Sequence, residues 1–207
     1  RRYARHLVLK GIGGAGQQRL KAARVLVVGA GGLGSPVIAY LAAAGVGTIG
    51  IADDDTVSIS NLQRQIVHAT GRDGFAKIDS AASFVAALNP HVHVVPIPER
   101  IAATNALSLI ADYDLVIEGT DNFPARRDIA AAAAAAGKPL VSGAVSMFDG
   151  QLTVFVPGGP QFADLYPETP DAADLPSCEI GGVLGALTGV IGTLMAMEAI
   201  KLITGVG

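Results

Sequence analysis

Three short stretches hold the residue types that can do chemistry at their spacing. In "VLVVGAGGLGSP" (25–36), Gly29, Gly31 and Gly34 form a G-x-G-x-x-G pattern, and Asp53 follows about 20 residues on. Glycines let the backbone approach a diphosphate, the N-terminus of a following helix stabilises its charge, and a carboxylate can accept hydrogen bonds from ribose hydroxyls. The second stretch, "DDDTVSISNLQRQ" (53–65), sets Asn61 and Arg64 soon after that acid, with Lys77 further on. Arginine and lysine converging on a glycine loop suit a triphosphate better than a pyrophosphate bridge, because they offset γ-phosphate charge and stabilise a leaving diphosphate. The third, "VIEGTDNFPARRD" (116–128), ends an apolar run with Asp121. A carboxylate there can hold Mg²⁺ across phosphate oxygens, or it can cap the helix that follows.

The glycine loop and Asp53 taken alone fit NAD, FAD or ATP. A dehydrogenase needs an acid or base beside the nicotinamide and usually a second substrate domain, and neither is evident. At this point three readings stand: an ATP-dependent enzyme, an NAD(P)-binding oxidoreductase, and a non-catalytic nucleotide-binding scaffold.

The surrounding elements must bring these stretches together. Residues 25–29 form a short apolar run that predicts a buried parallel strand, 35–44 a helix stopped by Gly45, and Thr48–Ala52 the second strand of a βαβ unit. Helical periodicity returns over Lys77–Leu88, 106–113 and 125–136, and strands are predicted at 92–97, 114–119 and 139–145. Alternation of this kind predicts a Rossmann-like, doubly wound α/β sheet, mostly parallel. The alternating pattern of 150–158 predicts an antiparallel addition. We expect a single domain over 1–207, with an N-terminal helical arm at 1–23 and a crossover loop at about 157–176.

Composition narrows the function classes. At 207 residues and 50% hydrophobic, the chain can bury a sizeable core. Net charge is −3 and no Lys/Arg run exceeds two residues, so there is no electrostatic footprint for nucleic acid. A single cysteine, Cys178, excludes an internal disulfide and fits a reducing cytosol, so a cytoplasmic location is expected. Residues 180–197 carry no charge, but five glycines and the absence of a basic flank favour a buried or subunit-interface helix over a membrane span. No membrane partner is expected. The alanine run at 130–136 predicts a plain helix.

In combination, "RYARHLVL", "GAGGLGSP", "DDDTVSISNLQRQ", "TDN", "GVLG" and "MAMEAIKLITG" resemble the ThiF/MoeB/HesA family, nearest its MoeB branch and related to the ubiquitin-activating enzymes. The resemblance covers nearly the whole chain. It implies a homodimeric adenylyltransferase that uses ATP and Mg²⁺ to adenylate the C-terminal Gly-Gly carboxylate of a ubiquitin-like sulfur-carrier protein. Pyrophosphate is released, in sulfur transfer of the molybdopterin or thiamine type, with a sulfurtransferase as a further partner. By matched motif it implies Gly32 in the nucleotide loop, Asp53 at the ribose, and Asn61, Arg64 and Lys77 at the phosphates. It also implies Asp121 at the metal with Asn122 beside it, Arg126 near the nucleotide, and Arg5 reaching into the neighbouring subunit's ATP site. Cys178 matches a family cysteine sometimes used covalently. The chain departs from the family where many members hold structural zinc between two C-x-x-C pairs. Gln161 and Asp164 stand at the first pair here, and one cysteine cannot supply a four-ligand Cys/His site, so no zinc is expected.

Overall fold

Strand β1 (Arg24–Val28) divides its side chains between two cores. Val25 and Val27 face one, Leu26 and Val28 the other. A strand covered on both faces must be apolar throughout, which is why 25–28 reads as an unbroken run. The computed structural model describes residues 1–168 and 182–207. β1 sits inside a six-stranded sheet ordered β3-β2-β1-β4-β5-β6. Its neighbours are β2 (Thr48–Ala52), β3 (His93–Ile97), β4 (Leu115–Glu118), β5 (Leu140–Ser146) and β6 (Asp149–Phe155). The first five strands are parallel, and β6 pairs antiparallel with β5 from Leu140↔Phe155 to Ser146↔Asp149. The expected mixed, doubly wound sheet is therefore present.

On the Val25 face lie α3 (Gly34–Ala44), α4 (Lys77–Leu88) and the long C-terminal helix α8 (Gly185–Thr204). The Leu26 face carries α5 (Ala106–Ala111), α6 (Phe123–Ala135) and the short α7 (Phe162–Leu165). The N-terminal arm is two helices, α1 (Ala4–Leu7) and α2 (Gly13–Ala22). α3 ends where expected, at Gly45 in the left-handed conformation (φ 83°). α6 begins two residues before the expected 125 because Asn122 is its N-cap. α7 and the turn after it fall inside the expected crossover loop, of which 169–176 lie outside the described residues.

Helix α8 is long and apolar enough to cross a membrane, with a mean hydropathy of 1.6. Instead it packs along α3, β5, β6 and α2. Its glycines explain the composition that set this segment apart. At Gly192 a Cβ would overlap Pro36 and the Leu33 carbonyl, so the two helices touch backbone to backbone there. Gly189, one turn earlier, has nothing within 4 Å of the same position. Gly192→Ala is therefore expected to lower stability: overpacking against backbone costs about 1–3 kcal/mol, against about 1 kcal/mol gained in helix propensity. Gly189→Ala should raise stability. Thermal unfolding of the two variants should shift Tm in opposite directions.

Candidate functional site

The strand order reverses between β1 and β4, and a cleft opens at the carboxyl ends of β1, β2 and β4. Open α/β sheets bind ligands at such a switch point. Gly29, Gly31, Gly32 and Asp53 line the cleft on one side, with Arg64 and Lys77 next to them. Asp121, Asn122 and Arg126 form the opposite wall.

The glycine loop owes its shape to its first and last glycine. Gly29 leaves β1 at φ 93°, and its N–H donates to the Ala52 carbonyl at 2.8 Å. Gly34 packs so tightly on the Gly29 carbonyl that any Cβ would overlap it. Gly34 thus serves close packing and does not line the cleft, a correction to its expected place among the ligand-facing glycines. The Asp53 carboxylate accepts from the Ala30 N–H at 2.7 Å and the Asp55 N–H at 2.9 Å, so it is oriented by the loop it adjoins.

The basic residues converge as expected, each with a holder. Lys77 is buried, and its ammonium donates to Asp55 Oδ2 at 2.8 Å. Arg64 Nη2 donates to Asn61 Oδ1 at 3.1 Å. Asn61 itself does not line the cleft; its amide oxygen holds Arg64, which does. Gln65, missed in the sequence, is buried at the wall with Oε1 unpartnered among the described residues. Also missed was His68, whose ring joins the Ala30 carbonyl and Ser80 Oγ, each at 2.9 Å. Burial lowers its pKa below the ordinary 6.5, helped by nearby Lys77 and opposed by the Ala30 bond and Asp53. Stability tied to the neutral ring is present in full above 6.5 and is lost as pH falls through the lowered value.

On the opposite wall, Asn122 Oδ1 accepts from the Ala125 N–H at 2.9 Å and caps α6. The capping role that Asp121 might have taken is filled by its neighbour. Asp121 is left exposed at the cleft, with no hydrogen bond or ion pair among the described residues. Its turn is held from below. Arg126 donates through Nε and Nη2 to the Thr120 carbonyl at 3.0 and 2.6 Å, so it positions the turn as well as lining the cleft. Fully buried Glu118 accepts from the Thr120 N–H and Oγ1, both at 2.7 Å, and from Ser142 Oγ at 2.8 Å. A charged residue closing the apolar run "LVIE" was the available signal for this network. Glu118→Ala would leave the Thr120 and Ser142 donors without their acceptor and Arg126, whose Nε lies 3.6 Å away, without its charge partner. Breaking a buried charged network by removing one partner costs about 3–5 kcal/mol. Urea unfolding should show a loss of that order.

Arg5 stands apart from the cleft of its own chain. Arg5 is exposed on α1, and α1 is anchored at the far end of the sheet: the Tyr3 ring covers Gly45, and Asn89 donates to Tyr3 Oη at 2.8 Å. Its own chain's cleft is therefore not where Arg5 sits. Cys178 lies outside the described residues. Gln161 and Asp164 form a reciprocal capping box at the start of α7, with Asp164 Oδ2 accepting from the Gln161 N–H at 2.7 Å. Among the described residues, only Asp53, Asp54 and Asp55 bring three possible metal-ligand groups within 4.8 Å of one another. Two of them are already engaged, Asp53 by backbone and Asp55 by Lys77.

Comparison with known proteins bears on this cleft. A sequence model described as the ThiF family matches residues 3–207. The chain is 50% identical to a probable adenylyltransferase/sulfurtransferase MoeZ of Mycobacterium tuberculosis, over all of this chain and 54% of that protein. It thus spans about half the length of that relative. It is 47% identical to a sulfur carrier protein adenylyltransferase of Thermus thermophilus, over all of this chain and 78% of that one. Its fold is similar to a crystal structure of Escherichia coli MccB with ATP, at TM-score 0.84 and 21% identity, covering 100% of this chain and 65% of the other.

Proposed function

Because the chain belongs to the ThiF family, we propose that it is the adenylation domain of an enzyme that activates a ubiquitin-like sulfur-carrier protein ending in Gly-Gly. ATP is the second substrate. The observation that carries this reading is the meeting of Lys77 and Arg64 with the glycine loop on one wall and Asp121 on the other. Two cations beside a phosphate loop exceed what a dinucleotide's pyrophosphate asks for, and they suit a triphosphate whose terminal diphosphate must leave. The names of the relatives point the same way, one to a sulfur carrier and both to adenylyl transfer.

In the reaction, a carboxylate oxygen of the carrier's last glycine forms a bond to the α-phosphorus. The bond from that phosphorus to the bridging oxygen breaks, and pyrophosphate departs with the electron pair. No general base is needed, since the attacking carboxylate is already ionised at neutral pH. The work of the site is positioning and charge stabilisation. Asp53 orients the ribose, the loop approaches the phosphates, and Lys77 and Arg64 offset the charge that grows on the leaving group. Asp121 suits a hard cation: it is a carboxylate at the cleft with no competing partner among the described residues. It would hold Mg²⁺, which supplies further neutralisation of phosphate charge when bound.

The reading includes a homodimer. Val190, Leu194 and Met197 leave an exposed apolar stripe on α8, and Phe148 is exposed at the β5–β6 turn. A second copy would cover them, and the family resemblance gives Arg5 to the neighbouring cleft, as an arginine finger for the departing phosphates. The carrier serves sulfur transfer of the molybdopterin or thiamine type, and a sulfurtransferase acts on the activated carrier. The test is ATP–pyrophosphate exchange with and without a purified carrier ending in Gly-Gly. Carrier-dependent exchange with ATP, unaffected by NAD, is the expected result. Exchange that is absent with every such carrier would refute the assignment.

A further inference from the structure

We propose that His68 is a positioning residue for the nucleotide loop, holding it in register with the helix that carries Lys77. The inference rests on the reading of the cleft as an ATP site. His68 is buried and does not itself line the cleft. Its Nε2 lies 2.9 Å from the Ala30 carbonyl. A carbonyl only accepts, so Nε2 carries the proton and donates; Nδ1 is then the acceptor for the Ser80 hydroxyl at 2.9 Å. Ser80 is on α4, three residues after Lys77 and on the same helical face. One ring thus ties the start of α4 to the glycine loop.

The tie acts on a particular peptide group. The Ala30 N–H is already held by Asp53 Oδ2 at 2.7 Å, and His68 holds the Ala30 carbonyl. Both peptide planes that meet at Ala30 are fixed. There are no cis peptides among the described residues, and in a trans peptide the N–H points opposite to the C=O. Drawing the Ala30 carbonyl to His68 therefore turns the Gly31 N–H away from the ring, and Gly31 lines the cleft while His68 does not. Glycine has the widest backbone freedom, so without this hold the loop would sample orientations in which that donor is lost to a phosphate.

The test compares His68→Met, which keeps bulk and loses the donor, with His68→Gln, whose amide can still donate to the Ala30 carbonyl. ATP binding is measured by calorimetry, and ATP and carrier KM and kcat by the exchange assay. Losing one hydrogen bond that orients the binding loop should weaken ATP binding about tenfold in His68→Met. KM for ATP should rise by a similar factor, with kcat and the carrier KM within about threefold of wild type. His68→Gln should recover ATP affinity to within about threefold. Equal ATP affinity in wild type and His68→Met, no recovery in His68→Gln, or a parallel loss in kcat and carrier KM would overturn the proposal. If His68→Met fails to fold, the wild-type imidazole ¹⁵N spectrum decides. It should show Nε2 protonated and Nδ1 bare, with a shift on adding ATP; the opposite tautomer, or no response to saturating ATP, would overturn it. A wild-type protein that binds no ATP removes the functional reading itself and this inference with it, whereas wild-type binding that His68→Met matches removes this inference alone.

Discussion

Mixing two inactive variants, Arg5→Ala and Asp121→Ala, should restore ATP–pyrophosphate exchange to about a quarter of the wild-type level. The figure follows from the geometry of a two-fold dimer. Arg5 sits beyond its own cleft, on a helix pinned near Gly45 and Asn89, while Asp121 stands in the cleft. If Arg5 serves the partner's site, each variant homodimer has a lesion at both sites. Random exchange makes half the dimers mixed. In a mixed dimer, the cleft of the Arg5→Ala chain keeps its own Asp121 and borrows Arg5 from the other chain, so one site in two is whole. The second site carries both lesions. The measurement is exchange activity after subunit exchange has been verified by mass or by a tag. Activity that stays at the level of the separate variants would place Arg5 outside the neighbouring site.

The second large effect is expected at Lys77. Lys77→Ala should slow exchange at least tenfold. Its ammonium is held by Asp55, whose side chain is 68% exposed, and an ion pair with so open a partner contributes only about 0–1 kcal/mol. A charge-assisted contact to phosphate is stronger, about 1.5–3 kcal/mol, so bound ATP draws Lys77 from Asp55. That range corresponds to roughly ten- to a hundredfold in rate. Asp55→Asn is the informative companion, since it releases Lys77 without removing it. ATP KM in that variant should stay level or fall. Should Asp55→Asn lose as much activity as Lys77→Ala, the pair itself would be what matters, and Lys77 would not be a phosphate ligand.

The parts of the site that were legible in the sequence are those set by neighbours along the chain. An unbroken apolar run announced β1, because a strand covered on both faces has no polar side to show. The glycine pattern, Asp53 after β2 and Lys77 at a helix start all follow from local geometry. What was not legible depends on distant contacts. His68 matters through Ala30, 38 residues away, and nothing near it in the chain marks that partner. Glu118 is held by Ser142, Thr120 and Arg126, which meet only once β4, β5 and α6 have assembled. Between Asp121 and Asn122, two adjacent residues of similar capping strength, composition could not choose. The backbone chooses: Asn122 has the extended dihedrals of an N-cap (φ −128°, ψ 136°), which leaves the carboxylate for the cleft. Arg5 could be assigned by resemblance but not placed, because its position depends on how Tyr3 seats α1 against the far end of the sheet.

The reversal of strand order that opens the cleft also sets when it can exist. β1 finds β2 across the single helix α3, Val25 beside Ile49, but its other neighbour is β4, where Val25 meets Leu115. Those residues are about ninety apart, and synthesis at about 5–20 residues per second leaves several seconds between them. Throughout that interval the β4 side of β1 is an unpaired edge of a strand apolar from Val25 to Val28, the kind of edge that templates pairing with other chains. Loop residues 29–34 and Asp53 are already made, yet the wall bearing Asp121 is not. Nucleotide therefore has nothing complete to bind until β4 is seated, and it can stabilise only the end of the folding sequence, after the most aggregation-prone stage has passed.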